Sequence, residues 1–223
     1  MKRKLSAAVI FAAAAMLAWG ASAGAVDGTI EINQAKVLAA GGFPYVISTA
    51  NTSYRLTGSL TVSSTTANAV NVTASHVTID LNGFSIAGPG ASSSGDGING
   101  SAAGALTVEN GTVTGFGIDI YTGNNGIVRN VHATASPAVA IQTGSGTVIS
   151  GNTANGNNTG IFCASSGCAI YGNTIDGNTG SGSAGILAAD KTTGYGENVL
   201  YNNGTDVSGG TSMKNNVCSG VVC

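Results

Sequence analysis

The stretch ISGNTA (149–154) returns as IYGNTI (170–175), and then with substitutions as YGENVL (195–200) and MKNNVC (213–218). Reading upstream, the same frame fits VRNVHA (128–133), VENGTV (108–113) and LNGFSI (81–86). Each copy opens on an apolar residue. Two positions later comes Gly83, Asn110, Asn130, Gly151, Gly172, Glu197 or Asn215, and a three-residue strand follows. Six of these seven are Gly or Asn, the residues that enter the left-handed region at least cost. The frame therefore predicts a strand, a one-residue left-handed turn and a second strand in every copy.

A second landmark precedes each strand–turn–strand unit. It pairs a small residue with an aliphatic one: Gly97-Ile98, Gly117-Ile118, Ala138-Val139, Gly160-Ile161 and Gly185-Ile186. From the landmark to the following triplet the chain advances 14, 14, 14, 13 and 13 residues. Almost all length variation falls on the other side, in GPGASSSGD (88–96) and NTGSGSA (178–184). A near-constant arc with insertions at one corner is the mark of a solenoid, in which stacked strands hold register and extra residues leave at loops. Repeats of ~20–25 residues with short alternating strands and no helical stripe predict an all-β fold, a right-handed parallel β-helix of about eight coils. Looser copies at Leu60-Thr61-Val62 and Val70-Asn71-Val72 supply the first coils. Asn33, then Gln34 to Leu38, closed by Gly41 and Gly42, predicts a short N-terminal helix capping the stack. Asn152, Asn173, Asn198 and Asn216 share one repeat position, and their amides are expected to bond up and down the stack as in cross-β ladders.

Composition narrows the function. Of 223 residues only 8% are charged and 35 are Gly, while 43% are hydrophobic. This excludes a disordered chain, and so few cations exclude a nucleic-acid binder. Lys2, Arg3 and Lys4, an apolar run from Ala7 to Trp19 and Ala21-Ser22-Ala23 have the layout of a signal peptide over 1–23, which leaves one β-helix domain over 24–223. The run is shorter than a membrane span requires, so no membrane span is expected after cleavage. The remainder carries five basic and ten acidic residues, a net −5. Export places Cys163, Cys168, Cys218 and Cys223 in an oxidising periplasmic or extracellular compartment. Three connectivities exist, and two local bridges are the simplest. With only His76 and His132 available, no metal site or cofactor is expected.

VTIDLNGFSI (77–86), the Gly-Ile strands and the Asn-Thr triplets resemble exported bacterial right-handed parallel β-helix repeat proteins. The opening GTIEINQAKVLAAGGFPYVIS (28–48) and the closing NNVCSGVVC (215–223) resemble a largely uncharacterised branch of them. The resemblance implies a pectate-lyase-like fold, whose members include polysaccharide lyases and hydrolases as well as non-catalytic surface proteins. Fold alone assigns no chemistry, and none of the catalytic motifs of those enzymes transfers here residue by residue.

Paired carboxylates a few ångströms apart are needed for glycoside hydrolysis, and Asp96 and Asp119 come nearest, on neighbouring coils but offset along the repeat. The outward residues of the Gly-Ile strands are expected to be Asn99, Asp119, Tyr121, Ala140, Gln142, Phe162 and Leu187. Such a face suits a sugar chain, with Tyr121 and Phe162 stacking on rings and Asn99 and Gln142 taking hydroxyls. The expected function is a secreted or periplasmic β-helix without its own catalysis, binding an extended carbohydrate or cell-surface glycan. The alternatives are a lyase-like polysaccharide enzyme with an atypical site at Asp119 and Asp96, and a structural or adhesive envelope protein.

Overall fold

A computed structural model describes residues 28–180 and 182–223. The 1–23 segment read as a signal peptide lies outside the described residues. The chain winds as a parallel β-solenoid of about nine turns, one more than the repeats predict. One sheet holds eight parallel strands: Tyr45–Ile47, Val70–Val72, Asp96–Gly100, Ile118–Thr122, Val139–Thr143, Thr159–Cys163, Ile186–Ala188 and Val207–Ser208. The extra turn arises at the N-terminus, where Ile30–Ile32 pairs with Ser53–Leu56 ahead of the first repeat.

The second, larger sheet is bent, and its bend is the left-handed turn. Gly83, Asn110, Asn130, Gly151, Gly172, Glu197 and Asn215 all have φ between 53° and 78°. The strands Thr107–Thr114 and Ile127–Thr134 run through the bend, whereas later coils divide there into Val148–Ser150 and Thr153–Asn155, then Ala169–Tyr171 and Thr174–Asp176. A second left-handed position follows five residues on, at Gly115, Ala135, Gly156, Gly177 and Asn202. A third, at Ala105, Asn125, Gly146 and Gly167, leads out of the eight-stranded sheet. The three corners enclose a column of apolar side chains, including Val108, Val128, Ile149 and Ile170 from one wall and Ile98, Ile120, Ile141, Ile161 and Ile186 from another, all fully buried.

Two amide ladders bolt the coils together. In the expected one, Asn152 donates its backbone N–H and its Nδ2 to Asn173 Oδ1 at 2.9 and 3.1 Å. Asn173 does the same to Asn198 at 3.0 and 2.9 Å, and Asn198 to Asn216 at 3.1 and 3.0 Å. All four are buried. The second ladder joins Asn157 to Asn178 and Asn178 to Asn203 by the same two bonds. Each Oδ1 satisfies the inward N–H of the turn one coil back, a buried donor that would otherwise be orphaned.

Both ends are covered. Helix α1 (Gln34–Ala39) starts on Asn33, whose side chain accepts from the Lys36 N–H at 3.0 Å. It sinks Val37 into the core, and Gln34 bonds the Thr61 backbone through both side-chain ends. At the other end Val221–Val222 folds back antiparallel on Val217–Cys218. Ser219 and Gly220 both take positive φ there, as a two-residue hairpin turn requires. Cys218 bonds Cys223 across this hairpin, and Cys163 bonds Cys168. The second pair is inside: Cys163 lies in register with Thr143, and Cys168 Sγ lies 3.5 Å from Thr143 Oγ1.

The register of the eight-stranded sheet corrects one expectation. Ile118 pairs with Val139 and Val139 with Thr159, whereas Ile161 pairs with Ile141 and Ile141 with Ile120. The landmarks Gly117-Ile118 and Ala138-Val139 thus stand two residues ahead of their true counterparts. These strands have two consecutive inward residues after the first, Asp119-Ile120 and Ala140-Ile141, so strict alternation fails where the chain leaves the corner. The half-buried Ile118 and Val139 at the strand start mimic the core aliphatic that follows.

Candidate functional site

On the outer side of the eight-stranded sheet one residue per coil stacks in a single file. Register pairs Asn71 with Asn99, Asn99 with Tyr121, Tyr121 with Gln142, Gln142 with Phe162 and Phe162 with Leu187. Parallel strands lie about 4.8 Å apart, so Tyr121 and Phe162, two coils apart, are separated by about 10 Å with Gln142 between them. All six side chains are half-buried. The four residues Asn99, Tyr121, Gln142 and Phe162 are therefore consecutive members of one column. Among the described residues, the Tyr121 hydroxyl and the Gln142 amide have no hydrogen-bond partner within the chain, which leaves their polar atoms to solvent or a ligand.

The N-terminal end of the file is polar and pre-ordered. Asn68 Oδ1 accepts from the Asp96 N–H at 2.7 Å, and Asn68 Nδ2 donates to Asn71 Oδ1 at 2.7 Å. Asn99 donates to Asp96 Oδ2, and its own Oδ1 accepts from the Ser101 hydroxyl at 2.9 Å. Burial pushes the Asp96 carboxyl above its ordinary range, and the Asn99 amide and the Ile118 backbone offset part of that rise. Ile118 and Val139 continue the line that begins with Asp96 and give the middle of the face an apolar margin.

Asp119 and Ala140 do not belong to this face. Both are fully buried. The expectation that they point outward fails because they occupy the first of the two consecutive inward positions. Asp96 turns outward to Asn99 while Asp119 turns into the core, so the two carboxylates are not brought together on one surface. Asp119 Oδ1 accepts the Phe116 N–H at 3.1 Å. In later coils the corresponding turn N–H goes to a ladder amide: Ser136 to Asn157, and Asn157 to Asn178. Ser136 is too short to reach back to Phe116, and Asp119 fills the gap from its own coil.

The two insertions sit at the corner leading into this sheet, before Asp96–Gly100 and before Ile186–Ala188. The first is held against its neighbours: Gly88 and Gly90 donate to the Thr114 and Gly115 carbonyls at 2.8 and 2.9 Å, and Ser94 donates to Thr65 at 2.7 Å. Cations lie elsewhere. Arg55 pairs with Asp80 and Arg129 with Glu109 on the bent sheet, and Lys36 pairs with Glu31 beside the cap. His132 is exposed on the bent sheet, and His76 is a left-handed corner residue. Among the described residues no three His, Cys, Asp or Glu side chains gather as a metal site, and no helix is long and apolar enough to cross a membrane.

No family model, curated protein or solved structure matches the chain.

Proposed function

We propose that the chain is an exported β-helix repeat protein of pectate-lyase-like architecture whose file Asn99, Tyr121, Gln142 and Phe162 binds an extended carbohydrate. The observation that carries this reading is the stacking of two outward aromatics two coils apart, with a free amide between them. An unbranched sugar chain lying along the solenoid axis would place alternate rings on Tyr121 and Phe162, and the intervening unit would meet Gln142. The Asn68–Asn71–Asp96–Asn99 network would close one end of the track with fixed hydroxyl partners. Since the file itself carries no charge and the acid beside it is Asp96, a glycan without acidic sugars fits it best.

Export is supported by two disulfides, which belong in an oxidising compartment, together with the signal-like 1–23 segment. The enzymatic alternative gains nothing from Asp96 and Asp119, because they lie on neighbouring strands and turn to opposite faces of the sheet.

A glycan array on the protein lacking residues 1–23 tests the reading. A bound oligosaccharide is expected to lose about tenfold in affinity, or ~1.4 kcal/mol, with either Tyr121→Ala or Phe162→Ala, while the circular dichroism spectrum stays unchanged. Absence of any glycan signal would favour the structural or adhesive reading. Accumulation of unsaturated sugar product, followed by its ultraviolet absorbance, would favour the lyase.

A further inference from the structure

We propose that Asp119 is a proton-held latch on the 88–95 insertion: with its proton in place the 115–117 turn and the insertion stay closed on each other, and losing that proton releases both. The latch lies directly behind the start of the outward file, so its opening alters the corner that leads into Asp96.

Three observations place it there. Asp119 is fully buried, and its Oδ2 has no hydrogen-bond partner. A carboxylate with one bare oxygen in a core is costly, whereas the protonated acid removes the charge. Its other oxygen holds the Phe116 N–H, and Phe116 is the largest fully buried side chain among the described residues. The insertion is anchored on that same turn: Gly88 donates to Thr114, Gly90 donates to Gly115, and Gly117 donates to Gly95 at 2.8 Å. A Cβ on Gly88 would strike the Gly115 carbonyl and the Phe116 ring, so the insertion has no slack while the turn is closed.

Few other charges act on the group. Asp96 is the titratable residue of the strand packed on one side, and its carboxyl faces outward to Asn99. Residues 88–95, 115–118 and 135–143 carry none. Glu109, Arg129 and His132, from the strands behind, lie on the outer face of the bent sheet, where Glu109 and Arg129 pair.

The direction follows from linkage. Burial raises Asp119 well above its ordinary value of 3.8, and the hydrogen bond from the Phe116 backbone offsets only part of this. Closure is fully favoured below that ordinary value. Between it and the raised value, opening releases one proton, and closure weakens tenfold per pH unit. Above the raised value it levels off.

Hydrogen exchange of the 88–95 and 115–119 segments tests this. After correction for intrinsic rates, protection should fall tenfold per pH unit above about pH 4 in the native sequence and should be flat in Asp119→Asn. Carbon-detected NMR of the Asp119 carboxyl in the native sequence provides a test that needs no variant. A midpoint in the ordinary carboxylate range, or protection of 88–95 that ignores pH in the native sequence, would overturn the latch.

Discussion

Asn173→Ala is the sharpest probe of how the coils are held. The Asn173 side chain accepts the Asn152 N–H at 2.9 Å and donates Nδ2 to the Ile149 carbonyl at 3.0 Å and to Asn198 Oδ1 at 2.9 Å. Truncation strands the Asn152 N–H and strips the Ile149 carbonyl of its side-chain donor, both in the interior. Asn198 Oδ1 keeps the Asn173 backbone N–H at 3.0 Å, and Asn152 Nδ2 keeps the Val128 carbonyl at 2.9 Å. The Ile149 carbonyl stays in the parallel ladder between Val148–Ser150 and Ala169–Tyr171, so the Asn152 N–H is the buried group left unpaired, and a cost of about 1–3 kcal/mol is expected. Asn155→Ala in the neighbouring coil is the control. Its exposed amide donates only to Asp176 at 3.0 Å, and its loss should stay within about 0.5 kcal/mol. Urea unfolding followed by circular dichroism, with midpoints compared at constant m, reads both. Asn173→Asp keeps the size and the acceptor but aims an oxygen at three carbonyl-type acceptors, Ile149, Tyr171 and Asn198, so it should be at least as damaging as Ala near neutral pH. If Asn173→Ala costs less than about 1 kcal/mol, like the control, the ladder is decoration and the reasoning fails.

Further outcomes follow from single residues. Glu197 is the exposed member of the turn series that is neither Gly nor Asn, at φ 57°, so Glu197→Gly should raise the urea midpoint by an amount worth up to about 1 kcal/mol. Phe116→Ala should cost about 3–5 kcal/mol, since the ring is fully buried, and thermal melting will show it. Replacing Cys163 and Cys168 together by Ala should cost about 2 kcal/mol, the entropy of a six-residue closed loop; equality with the reduced native chain in a denaturant titration would locate the effect in the bridge. The Tyr201 hydroxyl is held above the ordinary tyrosine value of 10.0, first by its hydrogen bond to Asp176 and then by that carboxylate's charge. Asp176→Asn should therefore move one phenol to a lower midpoint in an ultraviolet titration.

The turn geometry was readable because left-handed backbone imposes a residue type: Gly or Asn at six of seven positions is a steric signature, and the seventh, Glu197, was placed by register alone. The Asn152–Asn216 ladder was readable for the same reason, since one residue type repeats at one position. The second ladder was overlooked although its signal was present, as Gly156-Asn157, Gly177-Asn178 and Asn202-Asn203 stand five residues after the first set. Its column begins with Phe116 and Ser136, so it does not look uniform. Asp119 was misplaced because period-two reasoning assumes that each strand alternates from its first residue, whereas these strands turn two successive side chains inward at the corner. The outward file survived that error, since Tyr121, Gln142 and Phe162 all lie after the irregularity. What the file binds could not be read, because amides and aromatics on a sheet surface do not define a single ligand.

A binding file exists only if Asn99, Tyr121, Gln142 and Phe162 stand over one another, and paired cysteines test this directly. In-register neighbours on parallel strands lie about 4.8 Å apart, within disulfide reach, whereas a two-residue offset gives about 8 Å. Gln142→Cys with Phe162→Cys should oxidise to an intramolecular bridge mapped by peptide mass spectrometry, with the native Cys163–Cys168 pair intact. Gln142→Cys with Ala164→Cys, the pairing that an alignment of Val139 with Ile161 would demand, should remain reduced. The reverse pattern would contradict the register and remove the binding file with it.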